Sequence, residues 1–143
     1  MIRTNRCNGR KIGVKGMTLV ELLIAVAIVS ILTTFAYPSY QAYQLKAHRT
    51  AALADLAKVQ LELESHYRSS YQSAASAVIV QGVCQVCSVD KDHFSISISA
   101  TESHYTIYAV PQGIQNNDLC SGSRYNQLSL NQLGEIEPES CWQ

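Results

Sequence analysis

The sequence predicts an α+β fold in which one long N-terminal helix packs against an antiparallel sheet. The first observation is an apolar run from Met17 to Ala36, and the second is a helical pattern that resumes after Pro38. The third is a set of segments beyond Asp92 in which apolar and polar residues alternate, as in half-buried strands. Together they predict a membrane-spanning half of the helix and one small domain.

The apolar run has the length of a membrane span. It covers 20 residues, and Glu21 is its only charged residue. At 1.5 Å of rise per residue the helix is about 30 Å long, enough to cross the hydrocarbon core of a bilayer. A secretory signal is cut after its apolar region. Here a basic stretch that ends in Gly16 precedes the run, so the sequence favours a cut before it and a helix that stays in the mature protein. An uncleaved signal-anchor is the alternative.

Glu21 is the first candidate functional residue. A lone ionisable residue near the start of a membrane helix is energetically costly and indicates a function. If the chain is cut after Gly16, the new amine of Met17 is the expected countercharge, in the same molecule or in a neighbour.

The second half of the helix is predicted to be amphipathic. Pro38 removes an intrahelical hydrogen bond, which predicts a bend or a local opening there. Beyond it an apolar stripe follows helical spacing, and the helix of roughly 50 residues is expected to end near Ser69 to Ser73. The stripe consists of Leu45, Ala52, Leu56, Val59 and Leu63. The charged residues between them are expected on a solvated face: Lys46, Arg49, Asp55, Lys58, Glu62 and Glu64.

The chain beyond Asp92 is predicted to form β-strands. Phe94, Ile96 and Ile98 alternate with serines, and a turn at 101–103 leads into a second strand at 104–110, which predicts a hairpin. Leu128 and Leu130 mark a third strand. Residues 74–92 are predicted to form a long loop between the helix and the sheet.

The charge distribution bears on orientation and partners. Five of the 11 basic residues precede Met17, so residues 17–143 carry six basic and 11 acidic side chains, a formal side-chain charge of −5. Positive residues that flank a membrane segment stay cytoplasmic, so the C-terminal part should face outward. The acidic balance argues against broad nucleic-acid binding, which needs a basic footprint.

No catalytic constellation is visible in the sequence. The four histidines are spaced apart and are expected to be solvated, and there is no glycine-rich phosphate loop. They are His48, His66, His93 and His104. We therefore expect neither an enzyme nor a cofactor.

The cysteines agree with an exported protein. Cys7 would leave with the leader, and the four that remain allow three disulfide pairings. The C-x-x-C at Cys84 and Cys87 is also compatible with a redox dithiol or half of a zinc site. No second close Cys or His pair completes a tetrahedral site, so structural disulfides are favoured and no metal is expected. The four residues are Cys84, Cys87, Cys120 and Cys141.

The residues Gly16-Met17-Thr18-Leu19-Val20-Glu21-Leu22 resemble the prepilin motif of type IV pilins and of the related type II secretion pseudopilins. The resemblance implies that a dedicated peptidase cuts after Gly16 and N-methylates Met17, where the family usually has phenylalanine. It also implies that Glu21 acts in assembly.

The C-terminal part, from Asp118-Leu119-Cys120 to Cys141-Trp142-Gln143, looks most like minor pilins of type IVa pili of the PilE kind. That resemblance implies a sheet of about four strands and a C-terminal region closed by a disulfide between Cys120 and Cys141. Cys84 and Cys87 are then expected to pair with each other. The implied divisions are a leader at 1–16, a transmembrane and filament-core helix at 17–44 and a periplasmic pilin head at 45–143.

The function implied is that of a minor pilin, inserted in the inner membrane and assembled into the pilus or its initiating tip complex. The implied partners are other major and minor pilins, the prepilin peptidase, the inner-membrane assembly machinery and the membrane itself. Two alternatives stay open. One is a minor pilin that captures DNA or a surface, of which the charge gives the DNA version little support, and the other is a type II secretion pseudopilin.

Overall fold

The computed structural model describes residues 16–142, so the leader up to residue 15, with Cys7, lies outside the described residues. The chain divides into two units between Tyr37 and Pro38. Helix α1, Leu19–His66, is 48 residues long, close to the predicted length. Thr18 caps its first turn, because the Glu21 amide donates to Thr18 Oγ1 at 3.2 Å.

The first unit consists of the apolar start of α1. Every side chain from residue 16 to residue 37 is exposed. Among the described helices, α1 alone is long and apolar enough to cross a membrane, and its most apolar window has a mean hydropathy of 2.4 and no buried residue. The helix contains Pro38 without interruption. The kink expected at Pro38 stays a prediction.

The second unit has one hydrophobic core between α1 and a sheet. Ala52, Leu56, Val59 and Leu63 are fully buried, which confirms most of the predicted stripe, and Leu45 is half-buried. The sheet contributes buried side chains to the same core. They are Phe94, Ile96, Tyr105, Ile107, Ala109, Leu128 and Leu130.

The main sheet has four antiparallel strands in chain order. The predicted hairpin is confirmed as β3, Phe94–Ala100, and β4, Tyr105–Pro111. The predicted third strand is β5, Leu128–Asn131, and a fourth, β6, is Ile136–Glu137. Ile107 pairs with Ile98 and Leu130, so one face of the sheet is apolar and covers α1.

The long loop predicted at 74–92 is wrong in its first half. Helix α2, Tyr71–Val78, is followed by strands β1, Ile79–Val80, and β2, Val83–Cys84, which form a hairpin. The serines at the predicted end of α1 start the new helix, because Ser70 Oγ accepts from the Ser73 amide at 3.3 Å. A two-residue turn then joins the strands, with Gln81 at φ 53° and Gly82 at φ 76°.

Two disulfides close the surface loops. Cys84, the last residue of β2, is bonded to Cys87, and Cys120 is bonded to Cys141 across 21 residues. The second bond encloses β5 and β6, so the disulfide-closed C-terminal region of the predicted fold is present.

Candidate functional site

The residues predicted for processing and assembly lie together at the start of α1. Gly16 and Met17 precede the helix, and Glu21 lies in its first turn. All three are exposed, and no ion pair between Glu21 and another described residue is present. The geometry therefore offers a carboxylate on an apolar helix surface that only another molecule can cover.

A second set of polar residues was missed by the sequence reasoning. Three charged side chains on α1 bind separate segments of the second unit; Arg49 and Asp55 are buried and not solvated as predicted, whereas Glu64 is exposed as predicted. Arg49, 6% exposed, is the first: its Nη1 donates to Asp118 Oδ2 at 2.6 Å and to the Leu119 carbonyl at 3.1 Å. The pair ties α1 to the segment that leads into Cys120.

Asp118 is the centre of a buried network. Its Oδ2 also accepts from Tyr125 Oη at 2.8 Å and from Gln115 Nε2 at 3.2 Å. Gln115 Nε2 donates to the Leu45 carbonyl at 2.9 Å as well. Burial, and then the hydrogen bond to Asp118, raise the pKa of Tyr125 far above its ordinary value, so its hydroxyl stays a donor.

Asp55 is the second anchor and is 1% exposed. Its Oδ2 accepts from the amides of Ser88 and Val89, each at 2.7 Å. Lys58 Nζ lies 3.6 Å from the other carboxylate oxygen and donates to Ser88 Oγ at 2.8 Å. Since Ser88 follows Cys87, this carboxylate fixes the C-x-x-C segment against the helix.

Glu64 is the third anchor and joins the end of α1 to α2 and β4. Its carboxylate accepts from Tyr105 Oη at 2.8 Å and from Tyr71 Oη at 3.0 Å. Burial, and then the hydrogen bond to Glu64, raise the pKa of both tyrosines. Tyr71 also packs edge-on against Tyr105, with ring centroids 4.7 Å apart.

The prediction of four solvated histidines is wrong for one pair. His48 and His93 stack with ring centroids 3.8 Å apart, which joins α1 to the start of β3. His93 Nδ1 is buried and has no hydrogen-bond partner among the described residues. Burial first, and then the charge of His93, lower the pKa of His48, against a smaller opposing effect of Asp90.

The described residues offer no ready metal centre. Within residues 16–142, no three His, Cys, Asp or Glu side chains are arranged to hold a metal ion. The C-x-x-C cysteines are bonded to each other, which leaves no thiolate there for a metal.

Comparison with known proteins places the chain in a family. A protein-family model described as "Type IV minor pilin ComP, DNA uptake sequence receptor" matches residues 38–123, more than half of the chain. The chain belongs to the type IV minor pilin family. The prokaryotic N-terminal methylation motif matches residues 13–37, which contain Gly16, Met17 and Glu21. The sequence-based assignment to the type IV pilins is therefore confirmed.

Relatives of this minor pilin are fimbrial proteins. It is 34% identical to a fimbrial protein of Pseudomonas aeruginosa over 86% of this chain and 64% of that protein. It is 46% identical to fimbrial protein Q of Moraxella bovis over 30% of this chain and 27% of that protein. It is 32% identical to the type IV major alpha-pilin of Moraxella bovis over 62% of this chain and 48% of that protein. The chain thus spans less than two thirds of these relatives, and no solved structure matches it significantly.

Proposed function

We propose that this protein is a minor subunit of a type IV pilus. The observation that carries the proposal is the methylation motif joined to the apolar first half of α1, whose side chains are all exposed and include one carboxylate, Glu21. Such a surface needs either lipid or the helices of other pilins around it. The head has a hydrophobic core of its own, so assembly does not require that core to be exposed.

The proposal includes a path through the inner membrane. The basic leader stays in the cytoplasm, residues 17–44 cross the membrane, and the head enters the periplasm. The prepilin peptidase then cuts after Gly16 and methylates Met17. Glu21 pairs with the new amine of a neighbouring pilin, and this pair sets the axial position of the subunit as the inner-membrane machinery adds it. Twitching motility and adhesion would follow from the pilus.

Incorporation into filaments tests this role. The processed protein should be found in sheared pili and begin with N-methylated Met17, whereas Gly16→Leu should leave it uncut in the inner membrane. Glu21→Val should be processed and folded but lost from the pili. Leu22→Val is the matched control, since it keeps the helix apolar without touching the carboxylate. If Glu21→Val enters pili as well as Leu22→Val does, the proposed role of Glu21 is wrong.

A second candidate function is DNA capture for uptake. It is favoured by the match over residues 38–123 to the model whose description includes a DNA uptake sequence receptor. The electrostatics give it limited support, because residues 17–143 have a formal side-chain charge of −5 and Arg49 is used in a buried ion pair. Lys91 and Arg124 are exposed basic residues on loops of the head.

Binding of duplex DNA to the mature protein in non-ionic detergent separates the two candidates. A DNA receptor should show an affinity that falls steeply as the salt concentration rises. If Lys91 and Arg124 each contact a phosphate, Lys91→Ala and Arg124→Ala should each reduce the slope of log affinity against log salt concentration by about one. Lys46→Ala on α1 is the control. Affinity that is immeasurable at physiological salt would eliminate DNA capture and leave the structural role standing.

A further inference from the structure

The outer face of the main sheet carries a polar concavity that neither proposed function uses. It has a volume of about 260 Å³ and lies over β4, β5 and β6, opposite the face that covers α1. Its polar lining includes Thr106, Tyr108, Gln127, Ser129 and Glu137. None of these side chains makes a hydrogen bond or an ion pair with another residue in the part of the chain that the structure describes.

Three of these side chains form one row across the sheet. Tyr108 on β4 is paired with Ser129 on β5, and Ser129 is paired with Glu137 on β6. Neighbouring strands lie about 4.8 Å apart, and side chains of paired residues point to the same face. The row therefore has the Ser129 hydroxyl in the middle, with the Glu137 carboxylate on one side and the Tyr108 hydroxyl on the other, and all three groups can accept a hydrogen bond.

Ser129 shows that the row is more than an exposed acidic patch. The residue is only 8% exposed, yet its hydroxyl lacks a partner among the described residues although it lines the concavity. Its oxygen is reached by solvent through the concavity, so the hydroxyl can exchange a water molecule for a ligand that donates a hydrogen bond to it.

The charge of the concavity selects the ligand. Glu135 and Glu137 both line it, and no Lys or Arg does. Glu135 is engaged by Asn131 Nδ2 at 2.6 Å, whereas Glu137 is open. A primary ammonium carries three donors and one positive charge, which match a row of one carboxylate and two hydroxyl groups.

The concavity continues into a second one of about 690 Å³ that shares Gln127, Ser129 and Glu137 with it. Its far end reaches Arg124, which donates to Asn117 Oδ1 at 3.4 Å. Together the two concavities are large enough for several residues of an extended polypeptide, which a small free amine would not fill. We propose that this groove binds the side-chain ammonium of a lysine in an extended segment of a partner protein, with Glu137, Ser129 and Tyr108 as its acceptors.

The test uses the mature protein in non-ionic detergent and a fluorescein-labelled peptide, Gly-Ser-Lys-Ser-Lys-Ser-Gly, followed by fluorescence anisotropy. Glu137→Gln should weaken binding about fivefold, since an exposed ion pair contributes up to about 1 kcal/mol. Ser129→Ala should weaken it by a smaller factor. Glu102→Gln, the same change in the exposed β3–β4 turn, should leave the affinity unchanged.

Three results would overturn the proposal. The first is equal binding of the Nε-acetylated peptide, because acetylation removes the charge. The second is an equal loss in Glu102→Gln and Glu137→Gln, which would indicate a general charge effect. The third is that spermine or a neutral disaccharide binds more tightly than the peptide and depends on Ser129, which would assign the groove to a polyamine or a saccharide. Circular dichroism of each variant establishes that the fold is retained.

Discussion

At the scale of single residues, Arg49 illustrates how a charged side chain can belong to an apolar stripe. It lies four residues after Leu45 and three before Ala52, so it continues the 4-3-4-3 spacing of the buried positions. Its guanidinium is desolvated, and its bonds to Asp118 Oδ2 at 2.6 Å and to the Leu119 carbonyl compensate for the lost hydration. A buried ion pair of this kind stabilises a fold little more than two apolar side chains of similar volume would. Removing one partner, however, leaves the other charge buried without compensation.

Arg49→Met should therefore destabilise the head by about 3 kcal/mol, because Asp118 would stay buried without its cation. The double variant Arg49→Met with Asp118→Asn should recover part of that loss, since neither charge remains. Urea unfolding of the oxidised protein measures both. Lys46→Met, at an exposed position on the same helix, should change the free energy of unfolding by no more than about 0.5 kcal/mol. An effect of Arg49→Met as small as that of Lys46→Met would contradict this role.

The stacked histidines predict a dependence of stability on pH. The pKa of His48 is lowered from its ordinary value of 6.5, because its burial and the nearby His93 disfavour the charged form. As the pH falls below about 6.5, the unfolded chain takes up a proton that the folded protein binds less tightly, so the free energy of unfolding decreases. Between pH 7.5 and 5, His48→Gln should lose less stability than the wild type does. Thermal unfolding across that range measures the difference. His66→Gln is the control: this exposed histidine lies 3.4 Å from the Glu62 carboxylate, which favours its charged form, so its loss should not reduce the dependence on pH. Parallel pH profiles for the wild type and His48→Gln would exclude His48 as the source.

At the scale of elements, hydrophobic periodicity predicted the long helix and the longer strands correctly but did not predict the short elements. The stripe on α1 and the alternation in β3, β4 and β5 predicted those elements, because each spans at least two turns or four strand residues. Strands β1, β2 and β6 contain two residues each, too few for any pattern. Helix α2 depends on a serine cap that the sequence also permits as a turn.

The anchors on α1 were missed for a related reason. Because Arg49, Asp55 and Glu64 are charged, they were predicted to face solvent. Their partners also lie far along the chain: Asp118, for example, is 69 residues from Arg49. Helical spacing would have indicated Arg49 and Asp55, which lie on the stripe face, but no local pattern identifies a partner at that distance. Glu21, by contrast, was recognisable at once because its whole neighbourhood is apolar.

The two disulfides should differ in their contribution to stability. Replacing Cys120 and Cys141 by serine should lower the free energy of unfolding by about 3 kcal/mol, because the bond closes a loop of 21 residues in sequence separation. Replacing Cys84 and Cys87 should cost less, since their separation is three. Denaturant unfolding compares the two variants, and peptide mapping of the non-reduced protein identifies the bonds. A crosslink between Cys84 and Cys120, or a larger loss from the Cys84 and Cys87 variant, would contradict this assignment.

At the scale of the whole molecule, the chain separates a surface for other molecules from a core of its own. Up to residue 37 every described side chain is exposed, although most are apolar. From Arg49 onward α1 has buried positions, and the sheet of the same unit covers them. The three anchors, at Arg49, Asp55 and Glu64, all lie on this second part of the helix and tie loops of the head to it. The described contacts that stabilise the head therefore begin near Leu45, whose carbonyl accepts from Gln115.

This division predicts that residues 45–143, produced in an oxidising compartment, fold alone and stay soluble, whereas the mature chain needs detergent or a filament. The fragment keeps the buried stripe, both disulfides and all three anchors, and it removes the apolar surface that lipid or other pilin helices must cover. Circular dichroism should show a mixed helix and sheet spectrum with a cooperative thermal transition, and size-exclusion chromatography should show a monomer. A matched fragment that starts at residue 57 loses Arg49 and Asp55 and should unfold at a lower temperature. If the fragment 45–143 aggregates or lacks a cooperative transition, the head depends on the first half of α1, and the separation of an assembly element from a self-sufficient head is wrong.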